Sequence, residues 1–130
     1  MSTLDPQGLP IGYFYRAEDE TTPRELKLLL DAAVSESVIV LDVRTQPEWD
    51  ICRLRDAKLL PLQSLELRID ELKDDVGQDL TRRIVVHCHH GRRSLTATYI
   101  LRAAGFTNVT SLAGGIHLWS QDIDPAVATY

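Results

Sequence analysis

The stretch RIVVHCHHGRRSLTATYILRAAG, Arg83 to Gly105, decides the fold. Its opening run, Ile84–Val86, is apolar and β-branched with no polar alternation, the pattern of a strand buried on both faces. Its second half places Ala97, Ile100, Leu101 and Ala104 at helical spacing and stops at Gly105, a residue suited to the left-handed end of a helix. A tight loop, HCHHGRR, joins the two. A buried strand feeding a helix through a short loop is half of a parallel β-α-β unit.

The same alternation continues outward. SVIVLDVR, Ser37–Arg44, is a second short β-branched run, and NVTSL, Asn108–Leu112, a third. TTPRELKLLLDAA begins with Thr22 as N-cap, Pro23 at the first helical position and Glu25 at the reciprocal capping position. Leu26, Leu29, Leu30 and Ala33 then form an apolar stripe. SLELRIDELKDDV returns to helical period through Leu65, Ile69, Leu72 and Val76, with an acidic opposite face. GGIHLWSQ, from Gly114, reads as a glycine turn into a short helix, with Leu112 and Trp119 in the core. Strands alternating with helices imply an α/β fold with a parallel sheet covered on both faces. Ligands of such folds collect beyond the carboxyl ends of the strands, where Cys88 stands.

At 130 residues and 44% hydrophobic composition the chain fits one compact domain, residues 1–130, with about twenty N-terminal residues as an extension. No linker, repeat or low-complexity tract divides it. The start carries neither a basic leader nor an apolar core, so no secretory signal is expected. No apolar run approaches the roughly 20 residues of a membrane-spanning helix. Cys52 and Cys88 lie in different motifs and do not suggest a disulfide framework, which points to a reducing, cytoplasmic setting.

The net charge of −5 argues against nucleic acid as a partner, but the charge is uneven. Leu80–Gln121 holds five arginines, all four histidines and no Asp or Glu, while the remainder carries 9 basic and 19 acidic residues. A local positive field at the Cys88 loop would draw small anions.

The loop offers two chemistries. His87, Cys88, His89 and His90 are all metal-ligand types, but they are consecutive, and structural zinc sites space their ligands by two or more residues. Neither a metal nor a cofactor is expected. The other chemistry is nucleophilic. A loop entering a helix N-terminus turns backbone N–H groups toward one point, and a cysteine at the base of that cradle has its thiolate stabilised. Gly91 relieves the tight backbone, and Arg93 supplies a charge-assisted clamp.

CHHGRRS (Cys88, Gly91, Arg93 and Ser94) resembles the active-site loop of rhodanese-type sulfurtransferases. VIVLDVRTQPEWD, Val38–Asp50, is similar to that family's strand with its Asp-x-Arg and Glu-aromatic elements, and GFTNVTSLAGGIHLW, Gly105–Trp119, to its closing strand and Gly-Gly turn. The resemblance implies an α/β/α sandwich around a central, mostly parallel five-stranded sheet, which agrees with the alternation read above. It implies that Cys88 takes a sulfane sulfur from a donor such as thiosulfate, holds it as a persulfide and passes it to cyanide, a thiol or a protein acceptor. His89, His90, Gly91, Arg92, Arg93 and Ser94 would form the substrate-binding loop, with Asp42 and Arg44 as a supporting buried ion pair. ICRLRDAKLLPL, from Ile51, departs from common single-domain members. It resembles the C-terminal rhodanese domain of E1-like proteins that sulfurate ubiquitin-like carriers, which suggests such a carrier as acceptor.

Loop length bears on the neighbouring chemistry. Cysteine phosphatases separate Cys from Arg by five residues, whereas four separate Cys88 from Arg93. A phosphoryl group, with three equatorial oxygens, needs a wider ring of donors than a single sulfur atom. A cysteine phosphatase or arsenate reductase stays open as an alternative, as does a non-catalytic rhodanese-like interaction module. Cys52 gives no electropositive cue of the kind seen at Cys88, and it reads as an inert core residue rather than one that resolves a persulfide into a disulfide.

Overall fold

A computed structural model describes residues 3–32 and 38–130. In chain order the elements are β1 (Glu20–Thr21), α1 (Pro23–Asp31), β2 (Val38–Asp42), α2 (Gln46–Ile51), β3 (Lys58–Leu59), α3 (Leu62–Leu65), α4 (Ile69–Asp75), β4 (Arg83–His87), α5 (Arg92–Ala103), β5 (Val109–Leu112) and α6 (Gly115–Asp122). The five strands form one sheet in the order β1-β5-β4-β2-β3, and every pairing is parallel. The three long strands are the three apolar runs of the sequence. The two edge strands are two residues each, too short to leave a pattern.

Alternation along the strands splits the core into two layers. Leu41, Ile84, Val86 and Val109 pack with Leu65, Leu72, Ala97 and Leu101 from α3, α4 and α5. Val40, Val85 and Leu112 face the other way, onto Leu26 of α1 and Ile116 and Trp119 of α6. This is the α/β/α sandwich, with both faces of the sheet covered. A smaller cluster seats Leu9 of the N-terminal segment on Ala113 and Leu118. Arg102 ties the same segment down through Asp19 and the Glu18 carbonyl.

Local chemistry sets the helix ends. Thr22 and Glu25 form a reciprocal capping box on α1, and Thr45 and Glu48 another on α2. Helix α1 buries Leu26 and half-buries Leu29 and Leu30, while Ala33 lies outside the described residues. Helix α5 ends with Gly105 at φ 106°. The Gly105 N–H donates to the Arg102 carbonyl and the Phe106 N–H to that of Leu101, a Schellman end.

The acidic helical run is not one helix. A tighter 3-10 turn, Glu66–Arg68, separates α3 from α4 and lets the chain turn while Leu65 and Leu72 both stay buried. Leu67, within that turn, is 90% exposed.

Candidate active site

In the sheet register Asp42 stands beside His87 and Val86 beside Ser111, so β2, β4 and β5 end together. Cys88 follows directly on the central strand β4. Its side chain is 1% exposed and packs in the core layer that includes α5. The loop then turns at Gly91, whose φ of 111° no residue with a side chain adopts readily, and α5 starts at Arg92. That turn brings the Gly91 N–H to 3.1 Å and the Ser94 N–H to 3.4 Å from Cys88 Sγ. Two backbone dipoles and the positive end of a twelve-residue helix thus converge on one sulfur.

Ser94 is fully buried beneath the cysteine. Its Oγ lies 3.4 Å from Sγ, donates to the Gly91 carbonyl at 3.1 Å and is 2.7 Å from Ser111 Oγ on β5. The hydroxyl locks the loop onto the neighbouring strand.

Arg93 turns its guanidinium onto Glu48 of α2, with two parallel bonds of 2.7 and 2.9 Å. The Arg93 guanidinium holds the Glu48 carboxyl far below the usual carboxylate range, against a smaller opposing effect of burial. Tyr130 also donates to Glu48, at 2.6 Å, and its hydroxyl accepts from Arg44 at 2.9 Å. Burial first, then the Glu48 carboxylate, pushes the Tyr130 phenol up to about 12.

Asp42 and Arg44 form a fully buried bidentate pair at the end of β2. Arg44 also donates to the Cys52 carbonyl at 2.6 Å and to that of Glu48 at 3.3 Å, so it holds α2 at its middle and at its C-terminal cap. Buried His87 sits above the pair, with Nε2 3.6 Å from Asp42 Oδ2. Burial holds its imidazole down at about 4, more strongly than the nearby Asp42 raises it. Cys52 packs with the opposite core layer from Cys88, across the sheet.

His89, half-buried, is stacked between His90 and the Tyr130 ring, each centroid 4.0 Å away. His90 and Arg92 are exposed. Both line a cleft of about 400 Å³ whose far wall is Tyr13, Phe14 and Arg16 of the N-terminal segment.

The positive field is smaller than five arginines suggest, because Arg93 and Arg102 are neutralised by Glu48 and Asp19 from outside the acid-free segment. The histidines that meet at the loop come from two elements, since His117 of α6 joins His89 and His90. Sequence reasoning passed over Glu48, Ser111, His117 and Tyr130. Only Glu48 had left a signal, as the glutamate of the Glu-aromatic element.

Comparison with known proteins agrees with the fold. The family profile described as the rhodanese-like domain matches residues 22–122. A probable adenylyltransferase/sulfurtransferase, MoeZ, of Mycobacterium tuberculosis is 36% identical over 109 residues, 84% of this chain and 26% of that protein. A sulfurtransferase of Allochromatium vinosum is 33% identical over 96 residues, 74% of this chain and 84% of that protein. The chain spans about a quarter of the length of MoeZ and the similar adenylyltransferase/sulfurtransferases it matches. Among solved structures, a rhodanese-related protein of Thermoplasma volcanium superposes with a TM-score of 0.69 at 24% identity, covering 86% of this chain and 99% of that one. The human single-domain sulfurtransferase TSTD1 superposes with a TM-score of 0.67 at 24% identity, over 78% and 95% of the two chains. With Cys88 cradled at the end of the central parallel strand and the family profile spanning that cradle from the start of α1 to the end of α6, the chain belongs to the rhodanese-like domain family.

Proposed function

We propose that the chain is a sulfurtransferase in which Cys88 carries the sulfur. The observation that supports this most is the convergence of the Gly91 and Ser94 N–H groups on Sγ at a helix N-terminus. Such donors favour a thiolate and fit a single outer sulfur atom. The sulfurtransferase names of relatives at 33–36% identity support the same chemistry.

In the first half-reaction the Cys88 thiolate attacks the outer sulfur of a small anionic donor such as thiosulfate. A new S–S bond forms, the donor's S–S bond breaks, and sulfite leaves with the electron pair. In the second, a nucleophilic acceptor attacks the outer sulfur of the persulfide and the Cys88 thiolate is regenerated. His89, His90, Gly91, Arg92, Arg93 and Ser94 form the ring around the transferred atom. Arg92, exposed at the cleft, steers the anion in.

Cyanide or a small thiol would serve as acceptor in solution. The cleft between the loop and Tyr13, Phe14 and Arg16 also gives a protein acceptor room to present a chain end. Relatives that carry an adenylyltransferase in the same protein favour a ubiquitin-like sulfur carrier in that role. The test is single-turnover: protein loaded with thiosulfate is freed of donor and mixed with cyanide, and thiocyanate is measured. One thiocyanate per protein, absent from Cys88→Ser, is expected. None from the native protein would leave the interaction-module reading.

A further inference from the structure

We propose that His89, His90 and His117 form a binding site for a late divalent metal ion of the zinc class, at the mouth of the Cys88 loop. One nitrogen from each ring lies within 4.8 Å of the others. A tetrahedral zinc centre with bonds of about 2.0–2.1 Å needs its nitrogens about 3.4 Å apart. The nitrogens must draw closer than this, and His90, exposed and on a loop, contributes by turning its ring out of its stack on His89.

The fold builds this proximity on purpose-specific contacts. The His117 N–H donates to the His89 carbonyl at 3.1 Å and the Ile116 N–H to that of Cys88 at 2.9 Å. The first turn of α6 is thereby bonded to the loop. Gly115 permits it, since a Cβ there would stand 2.3 Å from the His89 carbonyl oxygen and 2.6 Å from that of Cys88. The His90 ring stacks on His89 at 4.0 Å, and its centroid lies 4.9 Å from that of His117.

A second observation points to a ligand. His89 Nε2 and His117 Nδ1 are buried and have no hydrogen-bond partner among the described residues. Buried polar atoms are nearly always paired, and a metal coordinated by these rings would satisfy both. Three imidazole ligands without a carboxylate ligand select Zn²⁺, Co²⁺, Ni²⁺ or Cu²⁺ over Mg²⁺ or Ca²⁺. They leave one coordination position for water or a sulfur ligand. The site is independent of whether the protein transfers sulfur.

Calorimetric titration of the full, tag-free chain with Zn²⁺ tests this. Binding of one ion per chain, undiminished by millimolar Mg²⁺, is expected. His117→Ala and His90→Ala should each weaken it at least tenfold, and Cys88→Ser should retain it. Because His90 is exposed, its variant keeps the fold intact even if His117→Ala does not. With Co²⁺, visible ligand-field bands of a tetrahedral site should appear in native protein and in Cys88→Ser. No binding by the native protein, binding unchanged in both histidine variants, or binding abolished by Cys88→Ser would each overturn the proposal.

Discussion

Glu48 holds Arg93 by two parallel hydrogen bonds, 2.7 and 2.9 Å, and so fixes the arginine that follows the cysteine loop to the helix α2 across the site. The pair joins α2 to α5 through charge, and it determines how much positive potential the loop shows to an incoming anion. Removing one partner differs from removing both. Arg93→Ala leaves a carboxylate at the loop and should raise the thiosulfate KM about tenfold. Glu48→Gln frees the guanidinium and should lower that KM while reducing kcat modestly. The double variant should lie nearer the native KM than Arg93→Ala does, a coupling that steady-state kinetics of the four proteins measures. Additive effects would mean that the two side chains act separately.

Ser94 supports the cradle through a hydroxyl rather than a charge. Ser94→Ala keeps the N–H on Sγ but removes the links to Gly91 and Ser111. A stability loss of about 1 kcal/mol is expected for the missing hydrogen bonds, measured by urea unfolding. Sulfur transfer should slow about tenfold as the loop loosens. Full activity in the folded variant would show that the backbone alone sets the geometry.

The buried Asp42–Arg44 pair is a matter of stability. Asp42→Asn leaves a buried guanidinium short of its counter-charge, which typically costs about 3–5 kcal/mol. Denaturant unfolding should show that loss. Arg44→Lys should also destabilise, because one ammonium cannot bond Asp42, Cys52 and Glu48 together.

His87 gives the fold a pH dependence. Its imidazole titrates at about 4 when folded against an ordinary value of 6.5. The groups facing it are Asp42, which favours its charge, and Arg44, which opposes it. Between those two pH values the unfolded chain binds the extra proton. Stability is therefore full above pH 6.5 and falls as the pH drops toward 4, by up to about 3 kcal/mol from this group. Unfolding in chelator-containing buffer at stepped pH checks it. His87→Asn should flatten the slope in that window, and an unchanged slope would assign it to other groups.

Much of this was legible in sequence because it depends on local pattern. The three long strands show as β-branched runs, the capping box of α1 as Thr22 and Glu25, and the helix end at Gly105 as a glycine after an apolar stripe. The Cys88 cradle was legible for the same reason, since a strand, a loop and a helix contiguous in sequence make it. What escaped depends on contacts distant in the chain. Glu48 reaches Arg93 from 45 residues away, and Tyr130 stacks on His89 from 41. His117 meets His90 only because Gly115 lets α6 approach the loop backbone. The break between α3 and α4 follows from how the chain turns over the sheet, which the helical spacing of Leu65, Ile69 and Leu72 does not encode.

The central claim is that Cys88 carries the sulfur, and the intact mass of the protein after thiosulfate treatment tests it most directly. A gain of one sulfur atom is expected, located on the peptide containing Cys88, removed by cyanide and absent from Cys88→Ser. A sulfur found on Cys52, or one that persists in Cys88→Ser, would contradict it.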